Sequence, residues 1–238
     1  MKKLLTLAAI VAMAGSVQAA ILGWGGAEAG AGGDGTTWAD GNNWFDFTNG
    51  GTAAPTSGDQ VNIGGSVWGA TTQPTVSSAG QVAGDLILGN TLASQLDINV
   101  GGDLAVAGIF YVGNDGTGTL NMNGGTLTAA TMQWANAGQV GHINLHGGTI
   151  NAAVANLDGT GLTTIDVQGT GKMIVGGNQT GGFDFLIGNG WITGGAGLAS
   201  SYDSGSDTTT LAIPEPATFG MVAAMGGGIL FIRRKFMI

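Results

Sequence analysis

The residues best placed for chemistry are His142 and His146, which are the two histidines of the chain. On a helix, a spacing of four positions would set both imidazoles on one face, where they could share a metal ion. Their segment, Gly-His-Ile-Asn-Leu-His, instead alternates polar and apolar residues, which predicts a strand. On a strand the two rings point the same way but lie roughly 13 Å apart, too far to share one ion. We therefore predict that this pair holds no metal.

Other catalytic arrangements are poorly represented. The chain has no cysteine, which excludes thiol chemistry and disulfides, and no Gly-x-Ser-x-Gly motif. Glycoside hydrolysis needs two carboxylates on one face, and no Asp-Asp pair or clustered Asp motif is present. A β-helical lyase needs cations against its uronate substrate, and Lys172 is the one candidate in the body. We predict that the protein is not an enzyme and uses no cofactor; the less favoured alternative is a β-helical polysaccharide-degrading enzyme.

Three segments rich in glycine and aspartate resemble parts of calcium-binding turns. They are Gly32-Gly33-Asp34-Gly35, Gly101-Gly102-Asp103 and Asn114-Asp115-Gly116-Thr117-Gly118. None completes the Gly-Gly-x-Gly-x-Asp pattern of calcium-binding repeats. Because Asp-Gly and Asn-Gly also favour tight turns with positive φ, turn formation is the preferred interpretation and calcium binding the alternative.

The distribution of charge separates the body of the chain from its two ends. Between Ala20 and Pro216 lie all fifteen acidic residues but only one basic residue, Lys172. A body without arginine offers no multi-cation surface for phosphate backbones, which excludes nucleic acid as a partner. The 48 glycines and the alternating Leu, Ile and Val residues indicate short strands and tight turns.

An internal repeat gives the strongest prediction of the fold. The segment Leu120-Asn-Met-Asn-Gly-Gly-Thr-Leu127 matches the later segment Ile143-Asn-Leu-His-Gly-Gly-Thr-Ile150. Each copy holds two short strands around a glycine turn, and it can bury its apolar side only by stacking on other copies. We predict an all-β chain folded as a right-handed parallel β-helix, or solenoid, with coils of about 23 residues. An N-terminal signal helix and a C-terminal transmembrane helix flank it.

The repeat also assigns side chains to the inside, the outside and the corners of the solenoid. Asn121, Asn144, Thr126 and Thr128 are expected to face outward. Asn90, Asn114, Asn136 and Asp158 recur at nearly the same interval as the repeat and are expected to stack as a hydrogen-bonded ladder. The interior positions are predicted to be Leu96, Ile98, Leu104, Leu120, Met122, Leu127, Ile143, Leu145, Ile150, Ile165, Val167 and Ile174.

Aromatic residues mark both ends of the solenoid. The segments Trp38-Ala-Asp-Gly-Asn-Asn-Trp44 and Pro55-Thr-Ser-Gly-Asp-Gln-Val-Asn-Ile63 resemble the opening module of bacterial autotransporter-associated β-strand repeat proteins. We interpret the tryptophans as a cap over the first sheet edge. The alternative is a sugar-stacking platform formed by Trp24, Trp38 and Trp44. At the other end, residues 183–189 echo the repeat segment 86–90. A C-terminal cap is predicted from Phe183, Phe185 and Trp191, and a final strand at residues 208–213.

The N-terminal residues have the order of a secretory signal peptide. Lys2 and Lys3 form a positive region and residues 4–14 an apolar one. Val17, Ala19 and Ala20 give the small-residue cleavage pattern, so the mature chain is expected to begin near Ala20. A buried N-terminal helix is the alternative. The prediction implies handling by the Sec export machinery.

Residues 214–238, at the C-terminus, have a second transport pattern. Pro214, Glu215 and Pro216 precede an uncharged segment, 217–232, and then the basic residues Arg233, Arg234 and Lys235. As a helix the uncharged segment would span about 24 Å, slightly less than the hydrocarbon core of about 30 Å, and a buried helix is the alternative. The basic stop predicts a cytoplasmic C-terminus. The apolar residues assigned to the span are Ala217, Phe219, Met221, Val222, Ile229, Leu230, Phe231 and Ile232.

This tail closely resembles the PEP-CTERM sorting domain of exopolysaccharide-producing Gram-negative bacteria. The resemblance covers residues 214–238 and rests on the order of Pro-Glu-Pro, apolar span and Arg-rich end. It implies recognition by an exosortase, a membrane peptidase or transpeptidase acting near Pro214-Glu215-Pro216. The precursor would be anchored in the inner membrane, and the body would then reach the cell surface or the extracellular space.

Together these patterns divide the chain into five parts and predict a role outside the cell. The function expected is that of a non-enzymatic structural protein of the cell surface or extracellular matrix, associated with biofilm or exopolysaccharide. A carbohydrate-binding adhesin module is the alternative. The parts are a signal peptide (1–19), a Trp-rich cap (20–81), solenoid repeats (82–175), a C-terminal cap and loop (176–213) and the sorting segment (214–238).

Overall fold

A computed structural model describes residues 19–29, 32–65, 72–136, 138–156 and 162–214 of the chain. Within these residues one α-helix, α1, covers Thr180–Gly188, and 3-10 helices cover Gly26–Ala29 and Gly41–Asn43. The remaining elements are strands. They are β1 Ile21–Trp24, β2 Trp44–Asp46, β3 Gln60–Ile63, β4 Thr75–Val76, β5 Gln81–Ala83, β6 Asp85–Leu88, β7 Ser94–Ile98, β8 Asp103–Val112, β9 Gly118–Gln133, β10 Val140–Asn156, β11 Leu162–Val167, β12 Lys172–Gly176, β13 Ile192–Gly194, β14 Ala199–Asp203 and β15 Thr208–Ala212.

The strands form three parallel ladders around one core, as a β-solenoid of about five coils. Ladder A joins β4, β7, β11 and β13 with the first parts of β9 and β10. Ladder B joins β5, the start of β8, the middle of β9 and β10, and β12. Ladder C joins β1, β3 and β6 with the ends of β8, β9 and β10. The predicted all-β solenoid is confirmed.

The repeat register predicted from the sequence is the register of the ladders. Ile143 lies opposite Leu120 on ladder A, and Ile150 lies between Leu127 and Met173 on ladder B. Because alternate residues of a strand point to opposite faces, this pairing stacks like side chains in rows. Eleven of the twelve predicted interior residues are buried. Asn121, Asn144, Thr126 and Thr128 remain half-buried or exposed, as expected for outward positions.

The prediction was wrong for Ile174. Its neighbours Met173 and Val175 are fully buried, so the alternation of β12 turns Ile174 outward, opposite Asn151 and Thr210. Lys172, two residues earlier, shares its outward side and is exposed. The interior therefore takes the odd-numbered residues of this strand.

Strands of reversed direction lie at both ends of the solenoid. β2 pairs antiparallel with β1 at the N-terminal end. At the other end β15 pairs antiparallel with β12, and β14 pairs antiparallel with β15. The predicted final strand is confirmed as β15. The parallel stacking of the coils therefore ends at β2 and at β15.

The segment that echoes residues 86–90 forms helix α1 and not a strand. Phe183 and Leu186 are buried against the core, and this spacing of three matches one face of a helix rather than the alternation of a strand. Phe185 lies on the outer side of α1 with 61% of its surface exposed. The prediction that this region caps the core is therefore confirmed for Phe183 and wrong for Phe185, which covers little of the core.

The predicted signal peptide and sorting tail fall largely outside the described residues, which begin at Ala19 and end at Pro214. Among the residues that the structure describes, no helix has both the length and the apolar character needed to cross a membrane.

The corner between ladders A and B is built from stacked glycines. Gly125 and Gly148 have φ of 66° and 73°, in the left-handed region that glycine alone adopts at little cost. A Cβ on Gly125 would collide with the carbonyl oxygen of Gly102 in the preceding coil, and one on Gly148 would collide with that of Gly125. The corner thus leaves no room for a side chain, because each coil lies directly on the last.

Replacing Gly125 by alanine is expected to destabilise the solenoid by about 3 kcal/mol or more, since strain at positive φ adds to a backbone collision. The matched control is Gly80→Ala. Gly80 has φ of 78° but open space around its Cβ position, so only the conformational cost of about 1 kcal/mol applies. Urea unfolding of both variants checks the difference. Equal losses of stability would mean that the coils separate enough at the corner to admit a methyl group.

Candidate functional site: the polar face of ladder A

The outward side of ladder A carries polar residues in three neighbouring columns, which together we call the polar face. Alternation along β7, β9, β10 and β11 places these residues outside, because Leu120, Ile143 and their equivalents point inside. Column 1 contains Gln95, Thr119, His142 and Thr164, and column 2 contains Thr75, Asp97, Asn121, Asn144, Asp166 and Thr193. Column 3 begins with Asn99 and Asn123. We include in it His146, at the register shift beside Gly147, which is the residue paired with Asn123, and Gln168, which follows β11.

Column 2 contains a side-chain hydrogen-bond ladder that joins three successive coils through Asp97, Asn121 and Asn144. Asn121 Nδ2 donates to Asp97 Oδ1 at 2.6 Å, and Asn144 Nδ2 donates to Asn121 Oδ1 at 2.7 Å. Gln95 Nε2 also donates to both oxygens of Asp97, at 2.9 and 3.1 Å. Parallel in-register strands bring identical amides within hydrogen-bond distance of one another, so Asn121 donates to one neighbouring coil and accepts from the other.

Asp166 lies in the same column, next to Thr193, and collects donors from columns 2 and 3. Its carboxylate accepts from Gln168 Nε2 at 3.0 Å and Thr193 Oγ1 at 3.4 Å, and pairs with His146 Nε2 at 3.1 Å. Partial burial acts to raise the pKa of Asp166, but hydrogen bonds from Gln168, His146 and Thr193 and the charge of His146 outweigh it and lower the pKa. The carboxylate is therefore held ionised by its neighbours, which suits a structural or binding role better than proton transfer.

Both histidines lie on strand β10, as the sequence predicts, and contact different partners. His142 Nδ1 is 2.9 Å from Thr164 Oγ1, whereas His146 contacts Asp166. Within the described residues, His, Asp, Glu and Cys side chains form no group of three or more that could hold a metal ion. Each imidazole thus joins two neighbouring coils by a hydrogen bond across the polar face.

A second ladder occurs at the corner after ladder C, where the sequence predicts one. Asn136 Nδ2 donates to Asn114 Oδ1 at 2.6 Å. In the preceding coil the backbone N–H of Asn90 donates to the Ile63 carbonyl oxygen at 3.2 Å. Asp158, the fourth predicted member, lies outside the described residues. The side-chain ladder is therefore confirmed for the pair Asn114 and Asn136.

The aspartate of the first calcium-like segment serves as a turn cap. Asp34 Oδ1 accepts from the N–H groups of Thr36 and Thr37 and from Asn43 Nδ2, all within 2.9 Å. These hydrogen bonds, those from Thr37 first, lower the pKa of the Asp34 carboxyl. Asn43 is fully buried and also accepts from Gly35 N–H, so the segment folds back on itself. Turn formation accounts for its Gly-Asp-Gly pattern.

The hypothesis that Trp24, Trp38 and Trp44 stack against a sugar is wrong, because the fold buries all three. They are 4%, 1% and 0% exposed, and Trp44 lies edge-to-face with both others at centroid distances of 4.8 Å. Trp44 Nε1 donates to the Trp38 carbonyl oxygen and Trp24 Nε1 to that of Thr72. Burial of both the faces and the polar edges makes these rings part of the core at the N-terminal end.

Accessible aromatic surface lies instead at the C-terminal end of the polar face. Trp191 directly precedes β13, in which Ile192 is buried and Thr193 is exposed, and it packs partly against the core. Trp191 is half-buried and packs edge-to-face with the exposed Phe185 at a centroid distance of 6.2 Å. Sequence reasoning assigned both rings to the cap. The alternation around Ile192 was the available signal that Trp191 borders the polar face, whereas Phe185 reaches it from helix α1.

Comparisons with protein-family models, with curated proteins and with solved structures found no match to this chain.

Converting Asn121 to aspartate is expected to destabilise the protein at pH 7 by about 1–3 kcal/mol. The change sets two carboxylates within hydrogen-bond distance and removes a donor from Asp97. Carboxyl groups ordinarily ionise near a pKa of about 4, so the repulsion is present above this pH and is lost as the pH falls through it. Thermal unfolding at pH 7 and at pH 4 measures the change.

The matched control is Asn123→Asp, two residues along the same strand. Asn123 donates to Asn99, an amide that can turn over and donate to the new carboxylate. This control is expected to lose little stability at either pH. If Asn121→Asp were equally harmless at pH 7, the amide ladder would contribute nothing to the stacking of coils.

Proposed function

We propose that this protein is an exported, non-enzymatic structural protein of the cell surface or extracellular matrix. The observation that carries the proposal is that the polar face satisfies its own hydrogen bonds. Asp97, Asn121, Asn144 and Asp166 bond to neighbouring coils rather than converging on a reacting centre. Such a face stiffens a rod and presents a regular hydrophilic surface, while offering no opposed acid and base for hydrolysis or elimination.

The proposed route combines the two end segments of the sequence. The signal peptide directs the chain through the Sec machinery, and cleavage follows Ala19. The tail, with Pro214-Glu215-Pro216, the apolar span and Arg233-Arg234-Lys235, holds the precursor in the inner membrane until an exosortase-type enzyme removes it. The solenoid is proposed to wind right-handed, as parallel strand crossovers almost always do. Its acidic, cysteine-free body suits a soluble protein outside the cell.

Deleting residues 213–238 is expected to release the body to the periplasm or medium of the exosortase-containing host. Fractionation with immunoblotting measures its distribution. The matched control replaces Pro214, Glu215 and Pro216 by alanine and keeps the apolar span, which should leave an unprocessed, membrane-bound precursor. Identical fractionation of the truncated and full-length proteins would contradict the proposed sorting role of the tail.

A second candidate function is carbohydrate binding, and the aromatic pair beside the polar face favours it. Phe185 and Trp191 present ring surface next to Thr193, and amide and carboxylate groups follow along columns 2 and 3. Aromatic rings that pack against sugar faces, together with hydrogen-bonding groups for hydroxyls, are the usual elements of a shallow glycan site. The ligand would be a polysaccharide such as the exopolysaccharide implied by the tail.

The protein is expected to retain a bound exopolysaccharide without cleaving it, and Trp191→Ala is expected to weaken binding about tenfold. Affinity electrophoresis measures retention, and assays for reducing ends and for unsaturated uronates measure turnover. Tyr202→Ala, an exposed aromatic on β14, is the control. Turnover by the purified protein would contradict the non-enzymatic proposal, whereas binding unaffected by Trp191→Ala would remove only the aromatic site.

A further inference from the structure

A buried carboxylate at the start of ladder C accepts a hydrogen bond from a backbone nitrogen that export would convert into an ammonium group. Asp59 precedes β3 and is 6% exposed. Its Oδ2 accepts from the N–H and the hydroxyl of Thr56, at 2.8 and 2.6 Å. Its Oδ1 accepts from the backbone nitrogen of Ala20 at 2.8 Å in a buried hydrogen bond. None of these three donors is a cation, so the carboxylate is buried without an opposite charge.

Ala20 is also the residue at which the mature chain is predicted to begin. We propose that export processing creates a buried salt bridge between the new α-ammonium of Ala20 and the carboxylate of Asp59, and that this bond fixes the first strand of the solenoid. The inference rests on the proposed export route for its cleavage position. Its structural half rests on the Ala20 and Asp59 geometry alone.

The chemical step is a hydrolysis with water as co-reactant. A signal peptidase breaks the amide bond between Ala19 and Ala20, the water oxygen adds to the Ala19 carbonyl carbon, and Ala19 leaves as a carboxylate. The Ala20 nitrogen takes up the protons and becomes an ammonium group. The nitrogen already lies 2.8 Å from Asp59 Oδ1, so a neutral hydrogen-bond donor becomes a charged one at the same place. Hydrogen bonds between two charged groups are shorter and stronger than those from neutral donors.

The position of Ala20 makes this bond structurally important. Its carbonyl oxygen accepts from Gln60 N–H at 2.9 Å, and the next residue, Ile21, donates to Thr48 Oγ1 at 2.9 Å. β1 follows immediately and lies between β2 and β3, at the end where the solenoid begins. A bond at Ala20 therefore holds the strand on which Leu22 and Trp24 enter the core.

The neighbouring groove explains how a new terminus can fit there. A shallow cavity of about 440 Å³ is lined by Ala19, Ala20, Gly58, Gly84 and Gly108, with Asp85 on its wall. Ala19 is exposed whereas Ala20 is buried, so the scissile bond lies at the boundary between solvent and core. Asp85 is a second carboxylate of this groove, but its Oδ1 accepts from Ile109 N–H. Since β1 covers the residues after the bond, we infer that cleavage precedes docking of β1.

The test compares two chains that differ only in the position of the α-amino group. One begins at Ala20 and ends at Ile238; the other retains Gln18 and Ala19, which keeps the amide hydrogen bond but moves the ammonium away. Both are released with defined N-termini from a cleavable fusion and studied in the same detergent. The chain beginning at Ala20 is expected to have a Tm about 3–6 °C higher.

Asp59→Asn supplies the second half of a double-mutant cycle. It is expected to abolish the Tm difference between the two chains, whereas Asp85→Asn, which removes the same charge from the same groove, should preserve it. Equal Tm values for the two chains, or a difference that survives Asp59→Asn, would overturn the proposal.

A chemical readout covers the case in which Asp59→Asn fails to fold. Ordinary pKa values of about 8 for an α-amine and about 10.4 for lysine make the α-amine the faster to acylate near neutral pH. In the native chain the buried, ion-paired Ala20 amine is expected to be acylated more slowly than the amine of the exposed Lys172. In denaturant the Ala20 amine should again be acylated faster than Lys172. A native α-amine that reacts faster than Lys172 would overturn the salt bridge.

The mass of the N-terminal peptide of the exported protein tests the cleavage position separately from the Ala20–Asp59 bond. A mature chain that begins at Ala20 supports it. A mature chain that begins elsewhere would overturn the processing step and the cleavage position assigned in the proposed function. The Tm comparison of defined chains would still report separately on the Ala20–Asp59 bond.

Discussion

Backbone hydrogen bonding between successive coils fixes almost everything else in this solenoid. Parallel pairing places each residue directly above its equivalent in the preceding coil, so Leu120 and Ile143 share one interior row. A single residue gained or lost within a straight strand would turn its interior row outward. The chain accommodates its irregularities at register shifts, as between Val106 and Ile109 in β8 and around Gly147 in β10. Glycines occupy the corners where the backbones of neighbouring coils are too close to admit a side chain.

The same register creates the polar face. Asn121 and Asn144 reach each other because they are equivalent residues of adjacent coils, and Asp97 and Asp166 take the corresponding positions one coil away on either side. An amide can donate and accept at once, whereas a carboxylate only accepts. Asparagine therefore suits the middle of the column. The carboxylates instead accept from several donors, which include the amides of Gln95 and Gln168 in neighbouring columns.

Much of this arrangement could be predicted from the sequence because it follows from a repeat. The match between residues 120–127 and 143–150 gives the coil length and most of the interior rows, and the recurrence of asparagine at nearly the same interval gives the ladder at Asn114 and Asn136. The ends could not be derived in this way. Residues 183–189 resemble a repeat strand in composition, yet the burial of Phe183 and Leu186 against the last coil selects a helix. The three tryptophans carry enough apolar area either to cap a core or to bind a sugar, and only tertiary packing distinguishes the two.

The acidic character of the body has a local explanation in the way its turns are capped. Asp34, Asp46 and Asp59 each accept from backbone N–H groups within their own turns. Asp203 does the same at the turn between β14 and β15, and Asp85 accepts from Ile109 N–H in the next coil. Short aspartate side chains serve this purpose well because they reach N–H groups two or three positions away along the chain. A chain with many tight turns therefore accumulates carboxylates without needing lysine or arginine to pair with them.

Asp59 differs from the others because one of its donors becomes the first residue of the mature chain if export proceeds as proposed. The carboxylate that caps the turn would then form an ion pair once β1 has docked.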